Sequence, residues 1–367
     1  MDEPPFETTE SVWKPLYRVA GVAALIMVVF IPIQSIVFVV WPPPKGASIM
    51  PPLLALPAVD GVEITTIMDN SLDLLMSSTP MARRFPLPHY GFIRPQLRAE
   101  HGVSLLITVI DQGKRDTMLF DTGVTPDGAL HNLAVLGVDL GTIQAIVLSH
   151  GHTDHTHGLD GFLDKLGRRH MPILLHPDAF LKRRLVYNDN SILDLPPPSL
   201  HDLEREGIEL LVERGPSFLI NGKLLVTGQI ERTTDFEQGL KNQQAEVDGT
   251  WQPDPWVYDD QAIVMHVRNK GLVVATGCGH AGVINILRQA CAQTGVEQVY
   301  ALLGGFHLSG AHFEPIIPQT VEALQRINPV VVVPAHCTGW RATHRIAQMM
   351  PDAFTPNSVG TTFVFMG

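Results

Sequence analysis

Hydrophobic positions along the chain fall into distinct regimes. From Val19 to Trp41 they run without a charged residue, and as a helix this stretch spans about 34 Å, enough to cross the hydrocarbon core of a bilayer. Pro32, with Gln34 and Ser35 close behind, predicts a kink that membrane helices tolerate. The alternatives are a cleaved signal peptide and a buried core helix. The run is long for a signal peptide, and Pro42, Pro43, Pro44 and Lys45 stand where a small-residue cleavage site would follow. Lys14 and Arg18 precede the segment and Lys45 alone lies just after it, so the positive-inside bias places the N-terminus in the cytoplasm and the rest of the chain outside.

After a proline-rich stretch, short runs rich in Val, Ile and Leu alternate with segments of helical spacing. Ser104–Ile110, Ala145–Leu148, Leu272–Ala275 and Val330–Val333 read as strands, while Gly128–Leu136 and Gln319–Ile327 read as helices. The pattern predicts an α/β protein. Its expected organisation is a tail over residues 1–18, a transmembrane helix over 19–41, a stiff linker over 42–57 and a globular domain over 58–367. From about Leu185 to Trp256 few clear strands emerge, and this region reads as long loops that shape a pocket.

Composition narrows the picture. Hydrophobic residues at 45% and charged residues at 17% allow a buried core and exclude wholesale disorder. A net charge of -11 argues against a general nucleic-acid binder and for a small-molecule substrate. An anionic substrate would then need local cations, for which Arg232, Arg341 and the run Lys182-Arg183-Arg184 are candidates. The three cysteines, Cys278, Cys291 and Cys337, are too sparse for a disulfide framework; Cys278 and Cys337, close to His280 and His336, read first as buried free thiols, with soft extra ligands or redox-sensitive thiols as the alternatives.

Four of the apolar runs lead into a histidine: AIVLS into His150, LVVATGCG into His280, YALLGGF into His307 and VVVVPA into His336. A single histidine after a strand is usually a solvated residue, but four strands delivering histidines to one edge would build a shared site. Between Ser149 and Gly158 the chain also packs His150, His152, Asp154, His155 and His157. Imidazole and carboxylate are the ligands that divalent zinc, iron and manganese accept, and the spacing suits two adjacent metals.

On these residues the chain resembles the metallo-β-lactamase superfamily. Leu119-Phe120-Asp121-Thr122-Gly123 is similar to its first motif, and the H-x-H-x-D-H run from His150 to His155 to its second. The resemblance implies an αββα sandwich and two divalent metal ions, zinc first, with iron or manganese as alternatives. It implies that His150, His152 and His280 hold one metal, that Asp154, His155 and His336 hold the other, and that Asp121 supports the metal loop. Thr276-Gly277-Cys278-Gly279-His280-Ala281-Gly282, Leu303-Gly304-Gly305-Phe306-His307-Leu308 and His336-Cys337-Thr338-Gly339-Trp340 resemble the branch of dihydropterin-methyl-ribofuranosylaminobenzene-phosphate synthases. Thr227–Arg232 and Phe236-Glu237 resemble its substrate-side loop.

Two departures bear on the site. Most two-metal members bridge the metals with an aspartate, yet no acidic residue occurs from Ala301 to Phe313; either His307 takes over as a ligand or the second metal is weakly held. His157 stands where a glycine is common and reads as a solvated or supporting histidine. The first expectation is a metallo-hydrolase using a metal-bound hydroxide on a small anionic ester or phosphate, with Asp154 and His307 as catalytic groups. The alternatives are a transferase of the synthase type, a di-iron redox enzyme, and a metal-bearing sensor without turnover.

Overall fold

Alternation along the strands sorts apolar side chains into two faces, and that sorting builds the layers. In the strand Ala262–Val267, Ile263, Met265 and Val267 face a core between two sheets, while Ala262 and Val264 face helices on the other side. Val331 and Val333 likewise point inward and Val332 outward. On the opposite sheet Leu105, Ile107 and Val109 enter the inter-sheet core, whereas Leu106 and Leu119 meet the second helical layer.

The computed structural model describes residues 53–87, 91, 95–167 and 169–367. The expected tail and transmembrane helix, and the linker up to residue 52, lie outside the described residues. Among the described residues no helix is long and apolar enough to cross a membrane. At the start of the described chain, the Leu54 N–H donates to the Gln293 carbonyl at 2.7 Å and Leu56 is buried against the helical layer.

One sheet orders its strands Ile208–Val212, Met171–Leu175, Ile143–Val147, Lys114–Phe120, Ser104–Asp111, Gly61–Met68, Thr362–Met366 and Ala82–Arg83. The facing sheet runs Ser217–Leu219, Leu224–Val226, Ala262–Val267, Gly271–Thr276, Val299–Gly305 and Val331–Ala335, with Ala58–Val59 also on Ala262–Val267. Helices Gly128–Val135 and Leu159–Leu166 cover the first sheet; Val283–Thr294, Ile317–Ile327 and Gly339–Met349 cover the second. The expected αββα sandwich is the fold. The helix expected from Gln319 begins at Ile317, because Pro318, with its preset φ, suits the first turn.

Parallel pairing determines where the site forms. Gly271–Thr276, Val299–Gly305 and Val331–Ala335 are mutually parallel, so their C-terminal ends open at one edge. In the other sheet Lys114–Phe120 and Ile143–Val147 are parallel and end together, with the Asp121 N–H donating to the Val147 carbonyl at 2.9 Å. Functional groups collect at such edges.

The expectation of few strands between 185 and 256 needs correction. A third sheet orders Thr250–Pro253, Gln243–Val247, Arg183–Val186 and Ile192–Leu195, and short strands Ile208–Val212, Ser217–Leu219 and Leu224–Val226 extend the main sheets. Most of the third sheet's side chains are exposed or half-buried, so it lacks the apolar alternation that marks a core strand.

Phe363 is fully buried in the inter-sheet core. Phe363→Ala should reduce unfolding free energy by about 3–5 kcal/mol, read from the urea midpoint at constant slope; a loss under about 1 kcal/mol would contradict this placement.

Candidate metal centre

The expected histidines arrive from separate strand ends. His150 and His152 sit in the loop after Ile143–Val147, and the short helix Thr153–Thr156 carries Asp154 and His155. His280, His307 and His336 follow the three parallel strands of the other sheet. Their rings meet: His150 lies 4.5 Å from His152, 4.3 Å from His155 and 4.7 Å from His280 between centroids. His155 is 5.1 Å from His336, and His280 is 4.1 Å from His307. His157 is exposed on the far side of its turn.

Among the described residues, donor atoms fall into three groups, the atoms of each within 4.8 Å of one another: Asp154, His155, Cys278 and His336; His150, Cys278 and His280; and Cys278, His307 and Cys337. His152 belongs to none of them. It packs against His150 and His280, while its Nε2 donates to Gln243 Oε1 at 2.7 Å.

Hydrogen bonds aim these rings. Asp121 Oδ1 accepts from the Ser149 N–H at 2.7 Å, and its Oδ2 accepts from the Ser149 hydroxyl and from His155 Nδ1, each at 2.7 Å. With its proton on Asp121, the Ser149 hydroxyl accepts from His150 Nδ1 at 2.9 Å, which leaves His150 Nε2 bare. Asp259 accepts the Gly151 N–H at 2.7 Å and pairs with both Nη atoms of Arg183 at 3.0 and 2.6 Å. The His336 N–H donates to Asp69 Oδ1 at 2.9 Å, anchoring a residue whose φ is +47.

Among the described residues, the buried nitrogens without hydrogen-bond partners include, at this centre, His150 Nε2, both ring nitrogens of His280, His307 Nδ1 and His336 Nδ1. Each unsatisfied group costs about 1–3 kcal/mol, and a divalent cation is a partner they could share. Imidazole, carboxylate and thiol are the donors such a cation takes, so the residues present fit it.

Burial favours neutral rings at His150, His152 and His280, while nearby carboxylates favour charge on His155. Burial pushes His150 and His280 well below the ordinary imidazole range, and it pushes His152 down to about 4 with help from the nearby Arg183 charge. Burial also opposes charge on His155, but Asp154 and then Asp121 raise it to about 9. A proton and a cation therefore compete for that ring. Burial alone would raise Asp154, yet His155 and His336 hold its carboxyl well below the usual carboxylate range; His336 Nε2 stands 3.2 Å from Asp154 Oδ2.

The expected substrate cations are placed elsewhere. Arg232 donates to the carbonyls of Ile230, Trp256 and Val257, so it closes a loop. Arg341 pairs with Glu314 at 3.0 Å on the surface. Arg183 is buried between Asp254 and Asp259, Arg184 lies 4.1 Å over the Trp251 ring, and Lys182 pairs with Glu246 at 3.2 Å. A cavity of about 300 Å³ instead opens beside His280 and His307, lined by Phe236, Phe306, Phe313 and Lys241 among others. Sequence reasoning missed Lys241, Gln243, Asp69 and Asp259 because each is isolated in sequence, and their roles come only from chain crossings.

Asp121→Asn removes the charge that orients both His150 and His155. It should weaken metal affinity by about 10–100-fold in a competition titration with a chelating dye, while circular dichroism stays unchanged; unaltered affinity would contradict this role.

The model of the metallo-beta-lactamase superfamily matches residues 100–285, which take in Asp121, the histidine-aspartate loop and His280. A 7,8-dihydropterin-6-methyl-4-(beta-D-ribofuranosyl)-aminobenzene-5'-phosphate synthase from Methanocaldococcus jannaschii is 28% identical over 277 residues, covering 73% of this chain and 90% of that protein. An uncharacterized protein of the same organism is 29% identical over 255 residues, covering 68% and 89%. A crystal structure described as a metal-dependent hydrolase of the beta-lactamase superfamily aligns with a TM-score of 0.62 and 24% identity, over 82% of this chain and 98% of that one. The superfamily's fold implies divalent metal binding, which the converging donors fit. By its layered fold, its metal loop and this family match, the chain belongs to the metallo-beta-lactamase superfamily.

Proposed function

We propose that the protein is a metal-dependent transferase of the synthase type, joining a pterin to an aminobenzene ribose phosphate, rather than the hydrolase first expected. The observation that carries this reading is the cavity beside the histidine cluster. Phe236, Phe306 and Phe313 give part of its lining an aromatic surface, beside polar groups that include Asp235, Glu237 and His312, and Lys241 on the same lining is exposed. Such a surface suits planar rings, and an exposed ammonium suits a phosphate. The synthase relative, aligned over 90% of its length, supports the same substrate class. Hydrolysis has less support, since the hydrolase-described structure at 24% identity speaks for the fold alone.

His150 and His280 on one side, and Asp154, His155 and His336 on the other, are the residues that would hold two divalent cations, zinc before iron or manganese. A cation there would supply a Lewis acid that neutralises charge on the oxygen leaving group of an activated pterin, whose place on the 6-methyl carbon is taken by the aminobenzene partner as that partner gives up a proton. The chain's own groups do the rest. Lys241 binds the phosphate, the phenylalanines orient the rings and exclude water so that transfer outruns hydrolysis, and His307, with Nδ1 unpaired, holds or moves a proton at that atom. Asp154 keeps His336 and His155 oriented. The sequence of residues 19–41 supports a membrane tether for this enzyme, with its substrate a small molecule and not a nucleic acid.

Supplied with an activated 6-methyl dihydropterin and the aminobenzene ribose phosphate, the metal-loaded protein should yield the coupled product by mass spectrometry. Only hydrolysed substrates would reject the transferase reading. Lys241→Ala should raise KM for the phosphate-bearing partner about tenfold, roughly 1.4 kcal/mol, with kcat little changed in steady-state kinetics; an unaltered KM would remove Lys241 from the phosphate site.

A further inference from the structure

Three donor groups converge in the centre, and Cys278 Sγ is the atom common to all of them. It joins Asp154, His155 and His336 in one group and His150 with His280 in another. The second group has no carboxylate, and no acidic residue occurs from Ala301 to Phe313 to provide one. Two divalent cations held side by side repel in proportion to the product of their charges, so such a pair needs an anion in common. Asp154 serves the first group only.

The local backbone is built to deliver this sulfur. Cys278 is buried, and its Sγ lies 3.1 Å from His155 Nε2. A Cβ at Gly277 would collide with the Ser149 hydroxyl, and a Cβ at Gly279, whose φ is +69, would come within 2.7 Å of the Gly305 carbonyl oxygen. Glycines on both sides let the strand end press against the metal loop with Sγ facing the cluster. Cys337 is placed differently: its thiol donates to the Cys278 carbonyl at 3.2 Å, and it shares a group only with Cys278 and His307. The partnerless nitrogens of His150 and His280 lie around Cys278 Sγ and point to a ligand at the same place.

We propose that Cys278, as a thiolate, is the ligand shared by both metal positions. A metal-bound thiol is deprotonated outright, and a thiolate among imidazoles favours zinc, cobalt or ferrous iron over magnesium or manganese. The inference needs the site to hold metal but not the transferase reaction, so failure of the coupling assay leaves it standing.

Loading the full-length protein with Co(II) alone tests it. The wild-type protein should show a thiolate-to-cobalt charge-transfer band and bind about two ions per chain. Cys278→Ser should lose the band and fall to about one ion or none, while Cys337→Ser keeps both. Cys278→Asp, which restores an anion should the serine variant fail to fold, should bind about two ions without the band. A band that survives in Cys278→Ser or Cys278→Asp, a band lost only in Cys337→Ser, or two cobalt ions bound by wild type with no band would each overturn the assignment. Absence of cobalt binding altogether would overturn it together with the metal-dependent reading.

Discussion

A nitrogen buried without a hydrogen-bond partner costs free energy that folding must recover elsewhere, and His150, His280, His307 and His336 bring such nitrogens to one place. Few arrangements satisfy them all. Burial keeps His150 and His280 neutral, so their lone pairs remain available at neutral pH. Asp121 and Ser149 fix which nitrogen each nearby ring presents. The centre is thus a set of donors oriented before any cation arrives, and the surrounding layers keep it so.

The sandwich makes this possible through strand direction. Parallel strands from the second sheet present His280, His307 and His336 in a row, while the first sheet presents Asp121 beside the loop of His150 and His155. The histidine-bearing loops are then tied down by carboxylates from elsewhere in the chain. Asp121 holds the first loop, Asp259 takes the Gly151 N–H, and Asp69 takes the His336 N–H. Arg183 is buried to balance Asp259 rather than to meet substrate. The third sheet contributes Gln243 to His152, which links that sheet to the orientation of the metal loop.

Much of this was legible in sequence, and the reasons are physical. Continuous apolar runs ending in histidine revealed the core strands of the second sheet, because strands buried on both faces read as uninterrupted hydrophobic stretches. The H-x-H-x-D-H run revealed the loop, because its imidazole and carboxylate groups are close in sequence. Residues acting across long sequence separations were not legible: nothing near Asp69, Gln243 or Asp259 signals a role, and Arg232 and Arg341 looked available until the fold engaged them with carbonyls and Glu314. His152 Nε2 is turned to Gln243, a partner that nothing in the H-x-H-x-D-H run announces. Cys278 read first as a buried free thiol, with an extra ligand beside His280 as the alternative, because sequence does not show the two donor groups it joins in space.

The central claim is that imidazoles far apart along the chain converge on a common cation site. Anomalous diffraction at the zinc edge, from crystals grown with zinc, tests it most directly. The account predicts one anomalous peak among His150, Cys278 and His280 and a second among Asp154, His155, Cys278 and His336. Zinc bound only elsewhere on the protein, with no peak between these side chains, would contradict it.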